Sequence, residues 1–304
     1  MTTALDPRRE HTQRLEVGTR MTTSVTGEVA PKARTEARES VLAARNVSLT
    51  YGGLGGGRTV EALREVNIEV PKGQFVALVG ASGCGKTSLL NMFAGLVEPT
   101  EGEVVIDEQP VRGPSNKTSY MFARDGLLPW RRVHKNVELG LEARTSLSRA
   151  ERLASSRKML ELVGLADFEK VYPRQLSHGM RQRAAIARTL VTDPDILLMD
   201  EPFGALDAQT KLRLQAEFLD LLEQEGSDRV SKTVLFVTHD LNEAILLADR
   251  VVVMLPRPGR IASDQPVDLP RPRSGNLKEI IFSPEFQRLH RDLFDLLQEG
   301  EGHE

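Results

Sequence analysis

Residues 80–88 read Gly-Ala-Ser-Gly-Cys-Gly-Lys-Thr-Ser, the pattern G-x-x-x-x-G-K-[ST]. Its glycines let the backbone curl until successive N–H groups converge on an anion. Lys86 has the reach for β- and γ-phosphates, and Thr87 brings a hydroxyl suited to Mg²⁺. The apolar run Phe75–Val79 precedes this loop and a helical pattern from Ser88 to Gly95 follows it. That helix adds its unpaired N–H groups and positive dipole end to the same anion. Gly80, Ala81, Ser82, Gly83, Cys84, Gly85, Lys86, Thr87 and Ser88 are therefore a candidate triphosphate site.

Further stretches carry compatible chemistry. Ile196–Met199 reads as a buried parallel strand with Asp200 and Glu201 at its C-terminal end, where α/β sheets place their ligands. Asp200 suits Mg²⁺ held through its water shell, and Glu201 suits a base that takes a proton from attacking water. A second apolar strand, Val234–Val237, ends at Thr238-His239-Asp240, where the histidine can bond a γ-phosphate or the attacking water. Ser177 reads as an N-cap that opens the helix through Met180 and Arg183, a second helix N-terminus able to face an anion. Tyr51 ends an alternating strand just before a glycine loop at residues 52–57, which suits a ring stacked on adenine.

The elements that position these residues alternate between strand and helix patterns, as in an α/β fold. Val47, Leu49 and Tyr51 alternate with polar residues, as do Val66, Ile68 and Val70, so the first strands are half-buried. Between Val137 and Phe168 the period becomes helical, with Leu139, Leu141, Met159, Leu160, Leu162 and Val163 as its apolar positions. This predicts a helical subdomain inserted at about 136–176. Residues 1–40 have little apolar periodicity and read as a disordered leader. Domain boundaries follow at 41–258 for the nucleotide-binding domain and 259–304 for a short extension. One helix is expected there, opened by Ser283-Pro284-Glu285 and lined by Phe286, Leu289, Leu293 and Leu296.

Bulk properties exclude several classes. The 304 residues carry a net charge of −3, so no global basic field argues for nucleic acid. No run approaches the roughly 18 apolar residues of a membrane span, and the first residues lack the apolar segment of a secretory signal. Cys84 is the only cysteine, so no intrachain disulfide forms, and the cytosol is the expected compartment. Within the loop, its backbone N–H is expected to matter more than its thiol.

Together these motifs resemble the ATP-binding subunits of ABC transporters over roughly Val41–Leu255. The resemblance implies a P-loop NTPase core with a mixed, largely parallel sheet, an antiparallel β subdomain and an inserted α-helical subdomain. It implies that Gly80–Thr87 bind ATP, that Tyr51 stacks on adenine, and that Thr87 and Asp200 hold Mg²⁺. Glu201 and His239 become the catalytic base and the switch histidine, and Asp207 the aspartate of the turn between subunits. Ser177, His178, Gly179 and Met180 match the signature, which contacts ATP bound to the opposite subunit. The implied assembly is a head-to-tail dimer of two copies of this chain on the cytoplasmic face of the membrane. It drives transmembrane permease subunits, touched by the loop around Leu127-Leu128-Pro129-Trp130.

Two positions depart from that pattern. Ala123 stands where the family has a glutamine that helps hold Mg²⁺, so hydrolysis or coupling is slower or another group substitutes. His178 stands where the signature has glycine, and a protonated imidazole there adds positive charge near the phosphate. Local stretches resemble the nitrate, sulfonate and taurine importers, in which an extracytoplasmic binding protein delivers the solute. They are Leu127–Trp130, Gly179–Arg183, Glu201–Asp207, Pro256–Ile261 and Leu269–Arg273. The same motifs also fit a low-turnover regulatory subunit or a soluble ATPase without a permease. The latter class usually carries two cassettes per chain, and this chain has one phosphate loop and one signature.

Overall fold

The computed structural model describes residues 40–52, 59–143, 146–223 and 231–301. These residues belong to one compact unit, Arg38–Glu304. The expected leader, up to residue 39, and Gly53–Gly57 of the glycine loop lie outside the described residues.

The alternating segments near the start become β1 (Ser40–Tyr51) and β2 (Val60–Pro71), and Pro71 leads by a short turn into β3 (Phe75–Gly80). After β3 come α1 (Lys86–Phe93), β4 (Glu101–Ile106), β5 (Gln109–Pro110) and β6 (Thr118–Met121). Four strands form an antiparallel sheet in the order β2-β1-β4-β5. A helical insertion follows, with α2 (Val133–Val137), α3 (Leu139–Glu142) and α4 (Arg149–Leu162). Its α4 opens with a reciprocal cap: Ser148 Oγ accepts from Glu151 N and the Glu151 carboxylate accepts from Ser148 N. The chain then returns through α5 (His178–Leu190), β7 (Ile196–Asp200), α6 (Ala208–Leu222), β8 (Thr233–Val237), α7 (Leu241–Leu247) and β9 (Arg250–Leu255).

The main sheet runs β10-β9-β3-β8-β7-β6, with β10 at Arg260–Pro266. Its pairs are parallel except for β9 with β10. β3, β7 and β8 are buried throughout, which explains their continuous apolar runs. Their alternate residues feed two cores. Phe75, Ala77 and Val79 face the core shared with the helical insertion. Val76 and Leu78 face the core shared with α1 and the antiparallel sheet. Burying both faces holds the strand ends, and hence the loops beyond them, in fixed register.

The segment beyond residue 258 corrects one expectation. β10 completes the sheet by pairing with β9, so residue 258 falls within a hairpin rather than at a domain boundary. Its edge position leaves Arg260-Ile261-Ala262-Ser263-Asp264-Gln265 largely polar, which hid the strand. Two helices follow, not one: α8 (Leu277–Ile281) and α9 (Pro284–Glu301). Leu277, Phe286 and Leu293 join the main core, so this segment is packed onto the same fold.

Candidate functional site

The ends of β3, β7 and β8 carry the expected chemistry. Gly80 closes β3 with φ 156°, and a Cβ there would lie 2.2 Å from the backbone oxygen of Met254. Gly85 is the N-cap of α1 with φ 92°, and a Cβ there would lie 2.3 Å from Leu63. Only glycine fits either place. Gly83, at φ 81°, faces open space with no atom within 4 Å of a Cβ. Ser82 and Thr87 are exposed beside it. No side chain caps α1, so its first N–H groups are free of internal carboxylate or hydroxyl partners.

Lys86 is buried, and its ammonium donates to Gly80 O at 2.7 Å and Ala81 O at 3.0 Å. These bonds keep the loop compact around its own cation. Cys84 sits between Gly83 and Gly85 in the loop. Its N–H donates to Ala81 O at 3.3 Å within the loop, and its side chain is fully buried in the core under α1. Tyr51 is 44% exposed at the end of β1, with its hydroxyl 3.2 Å from Ser88 Oγ. Its ring therefore stands at the start of the α1 helix.

Asp200 ends β7 and is 4% exposed. Thr87 Oγ1 donates to its carboxylate at 3.0 and 3.2 Å. Burial raises the Asp200 carboxyl above its ordinary value, the Thr87 bond opposes that, and the Glu201 charge adds to it. The same carboxylate and burial, burial foremost, raise the Tyr120 hydroxyl. Among the described residues no group of three or more His, Cys, Asp or Glu could hold a metal. One carboxylate beside one hydroxyl fits Mg²⁺, which takes few protein oxygens and completes its shell with water and substrate phosphates.

Glu201 adopts φ 47°, a left-handed conformation that costs a non-glycine residue on the order of 1 kcal/mol. Three features hold it there. Its N–H donates to Val237 O at 2.9 Å, its carbonyl accepts from Gly204 N at 3.2 Å, and Phe203 is buried two residues on. Phe203 packs against Phe218 and Phe236, each with ring centroids 6.0 Å away. The result aims the Glu201 carboxylate at His239, whose Nδ1 lies 3.1 Å from Oε1. Both side chains remain partly exposed and so accessible to a substrate.

Ser177 caps α5, its hydroxyl oxygen accepting from Met180 N at 3.2 Å. His178 follows, and Arg181 reaches its Nδ1 at 3.5 Å. A guanidinium only donates, so Nδ1 is the acceptor in this arrangement. A Cβ on Gly179 would lie 3.4 Å from Leu206, which sets the start of α5 beside the turn that carries Asp207. Asp207 caps α6 by accepting from Thr210 N at 3.0 Å, and this bond holds its carboxyl below the ordinary value. Among the described residues no hydrogen bond or ion pair joins Ser177–Met180 to the Gly80–Ser88 loop.

Several residues that sequence reasoning missed organise this surface. The exposed Ala123 has no polar side-chain atom, but its loop is tied to α5. Arg181 pairs with the Asp125 carboxylate at 3.0 Å, while Arg188 donates to Asp125 O and Gly126 O at 2.7 Å each. Asn136, fully buried, holds the neighbouring Leu127–Trp130 loop: its Oδ1 accepts from Leu128 N and its amide donates to Leu128 O and Arg131 O. This leaves Trp130 72% exposed. Lys211 on α6 pairs with Asp240 and Glu243 of the α7 start, beside His239. Arginines in a surface-type pattern and carboxylates about thirty residues away give no sequence signal for such pairs.

Comparisons with known proteins agree with this geometry. A family profile described as ABC transporter matches residues 63–204. An uncharacterized ABC transporter ATP-binding protein of Methanocaldococcus jannaschii is 46% identical over 243 residues, 80% of this chain and 86% of that protein. A taurine import ATP-binding protein of Rhizobium johnstonii is 42% identical over 81% of this chain and 92% of its own length. A nitrate import ATP-binding protein of a Synechocystis strain is 42% identical over 81% and 91%. Among solved structures, a dimeric ATP-binding cassette in a post-hydrolysis state with ADP and Pi superposes with TM-score 0.68. It shares 33% identity over 75% of this chain and 99% of that one.

Proposed function

This chain belongs to the ATP-binding proteins of ABC transporters, and from that premise we propose that it is the ATP-hydrolysing subunit of an importer for a small solute of the nitrate, sulfonate or taurine type. It is an ATPase of P-loop fold. The observation that carries the assignment of roles is the convergence of Lys86, Thr87–Asp200 and Glu201–His239 at neighbouring strand ends.

Gly80–Ser88 bind the triphosphate with their backbone N–H groups, and Lys86 exchanges its bonds to Gly80 O and Ala81 O for phosphate oxygens. Tyr51 stacks on the adenine. Thr87 and Asp200 would hold Mg²⁺, which would supply charge neutralisation at the phosphates. Glu201 accepts the proton of the attacking water, and His239 holds that carboxylate in place and bonds the γ-phosphate. Ser177–Met180, on a capped helix start beside the Asp207 turn, complete the site of a second copy, with Asp207 at the contact; the dimeric state of the related cassette supports this reading. Two copies close on two ATP molecules and reopen after hydrolysis.

Trp130 and the loop held by Asn136 present the surface for a permease at the cytoplasmic face of the membrane. A solute-binding protein on the far side acts through that permease. Arg181 and Arg188 link the Ala123 loop to the signature helix.

Co-expression with a permease of the nitrate, sulfonate or taurine importer type tests this reading. The subunit is expected to co-purify with the permease in membranes, with ATPase activity that rises when loaded binding protein is added. An ATPase that ignores permease and binding protein would count against an importer.

A further inference from the structure

The side chain of Arg271 is 2% exposed and Arg273 as a whole is 1% exposed, yet both lie outside every ATP-binding motif. Between them they occupy the carbonyls at the end of α7. Arg273 Nη1 donates to Ala248 O at 2.7 Å and, more weakly, to Ile245 O and Leu246 O. Arg271 Nη2 donates to Leu247 O at 2.7 Å. A helix terminus needs partners for these groups, and a cation there also opposes the negative end of the dipole.

The same pair grips two other elements. Glu223, the C-cap of α6, accepts from Arg271 Nη1 at 2.7 Å and from the N–H groups of Arg273 and Ser274 at 2.8 and 3.1 Å. Asp249 accepts from Arg271 Nε at 2.7 Å through one oxygen, and from Phe75 N at 2.8 Å through the other. Phe75 is the first residue of β3. Two guanidinium groups thus face two carboxylates, so the buried cluster is balanced in charge. Burial lowers Arg273 to about 10, which still leaves it charged at neutral pH.

Each element anchored here ends at the catalytic surface. β3 leads to Gly80, α6 begins at its cap Asp207, and α7 begins at its cap Asp240, next to His239. We propose that Arg271 and Arg273 are positioning residues for ATP hydrolysis, setting α6 and α7 against β3 so that His239 meets Glu201. The tail is then part of the ATPase itself. This rests on the roles assigned above to His239 and Glu201.

Steady-state ATPase and nucleotide affinity of Arg273→Ala, Arg273→Lys, His239→Ala and the double variant Arg273→Ala/His239→Ala, in the full chain, test it. Arg273→Ala is expected to lower kcat by roughly ten- to a hundredfold, the scale of a misplaced catalytic group. ATP affinity, a property of the intact loop, should change less than about threefold. Arg273→Lys keeps the charge but not the fork, and should recover only part of the rate. The double variant should be no slower than His239→Ala, because both act through one group. If Arg273→Ala does not fold, the imidazole ¹⁵N shifts of His239 in Arg273→Lys decide, and they are expected to move. Unchanged kcat and unchanged His239 shifts in a folded Arg273 variant, or losses that add to that of His239→Ala, overturn the proposal. Full activity in His239→Ala alone would instead overturn the role given to His239.

Discussion

Replacing Lys211 by methionine isolates the charge cluster at the start of α7, next to His239 in the chain. Lys211 Nζ lies 2.9 Å from Glu243 Oε1 and 3.1 Å from Asp240 Oδ2. Glu243 is 3% exposed, and its other oxygen accepts from Thr238 Oγ1 at 2.5 Å. At an effective dielectric constant near 20, each contact is worth about 5 kcal/mol before desolvation. Removing the cation strands a buried carboxylate, and breaking such a pair costs about 3 kcal/mol. Glu243 can escape by taking up a proton. Burial already raises its carboxyl above the ordinary 4.5, and loss of the Lys211 ammonium raises it further. A raised carboxyl contributes stability that is present at low pH and lost as pH rises through its folded value. The deficit should therefore shrink as pH falls from about 8 to about 5.5. In the variant Asp240 also loses the Lys211 ammonium, so its carboxyl moves up with that of Glu243 and adds to the effect in the same direction. In the unaltered chain the other two groups lie outside this window. Lys211, raised from 10.5, loses its contribution only above that value, and Asp240, lowered from 3.8, loses its own only below it. Urea unfolding at both pH values measures the effect, and Lys211→Met/Glu243→Gln should recover most of the loss. A deficit under about 1 kcal/mol, or one independent of pH, would refute the claim that Lys211 balances a buried charge.

Other expected outcomes follow from the site. Gly80→Ala should abolish folding, since its Cβ meets the Met254 backbone, whereas Gly83→Ala should fold and lose ATP affinity; thermal melts and fluorescent-nucleotide titration distinguish them. Asp200→Asn should raise the melting temperature of the nucleotide-free protein by about 2 °C, because a buried charge is removed, while eliminating measurable turnover. Ala123→Gln should keep or raise the ATPase rate; a large fall with nucleotide affinity intact would show that Ala123 belongs to a different working arrangement.

The phosphate loop, the acidic strand end and the cap at Ser177 were legible because each is a short run whose chemistry depends on adjacent residues. The buried parallel strands were legible from their continuous apolar runs. What stayed hidden depends on pairs far apart in the chain. Lys211 meets Asp240 and Glu243 only through packing of α6 on α7. Arg271 and Arg273 read as a charged tail, and only the fold turns them toward Glu223, Asp249 and the carbonyls of α7. β10 was missed because an edge strand with one face in water has little apolar periodicity.

The proposed site is one half of a composite, completed by a second copy and worked by Glu201. The direct measurement is the mass in solution of Glu201→Gln with ATP and Mg²⁺, by light scattering after size exclusion, together with bound nucleotide. A stable dimer holding one uncleaved ATP per protomer is the result expected, since loss of a general base slows its step by about 10²–10⁴-fold. A monomer that binds ATP, or a variant that hydrolyses it at the rate of the unaltered chain, would contradict the account.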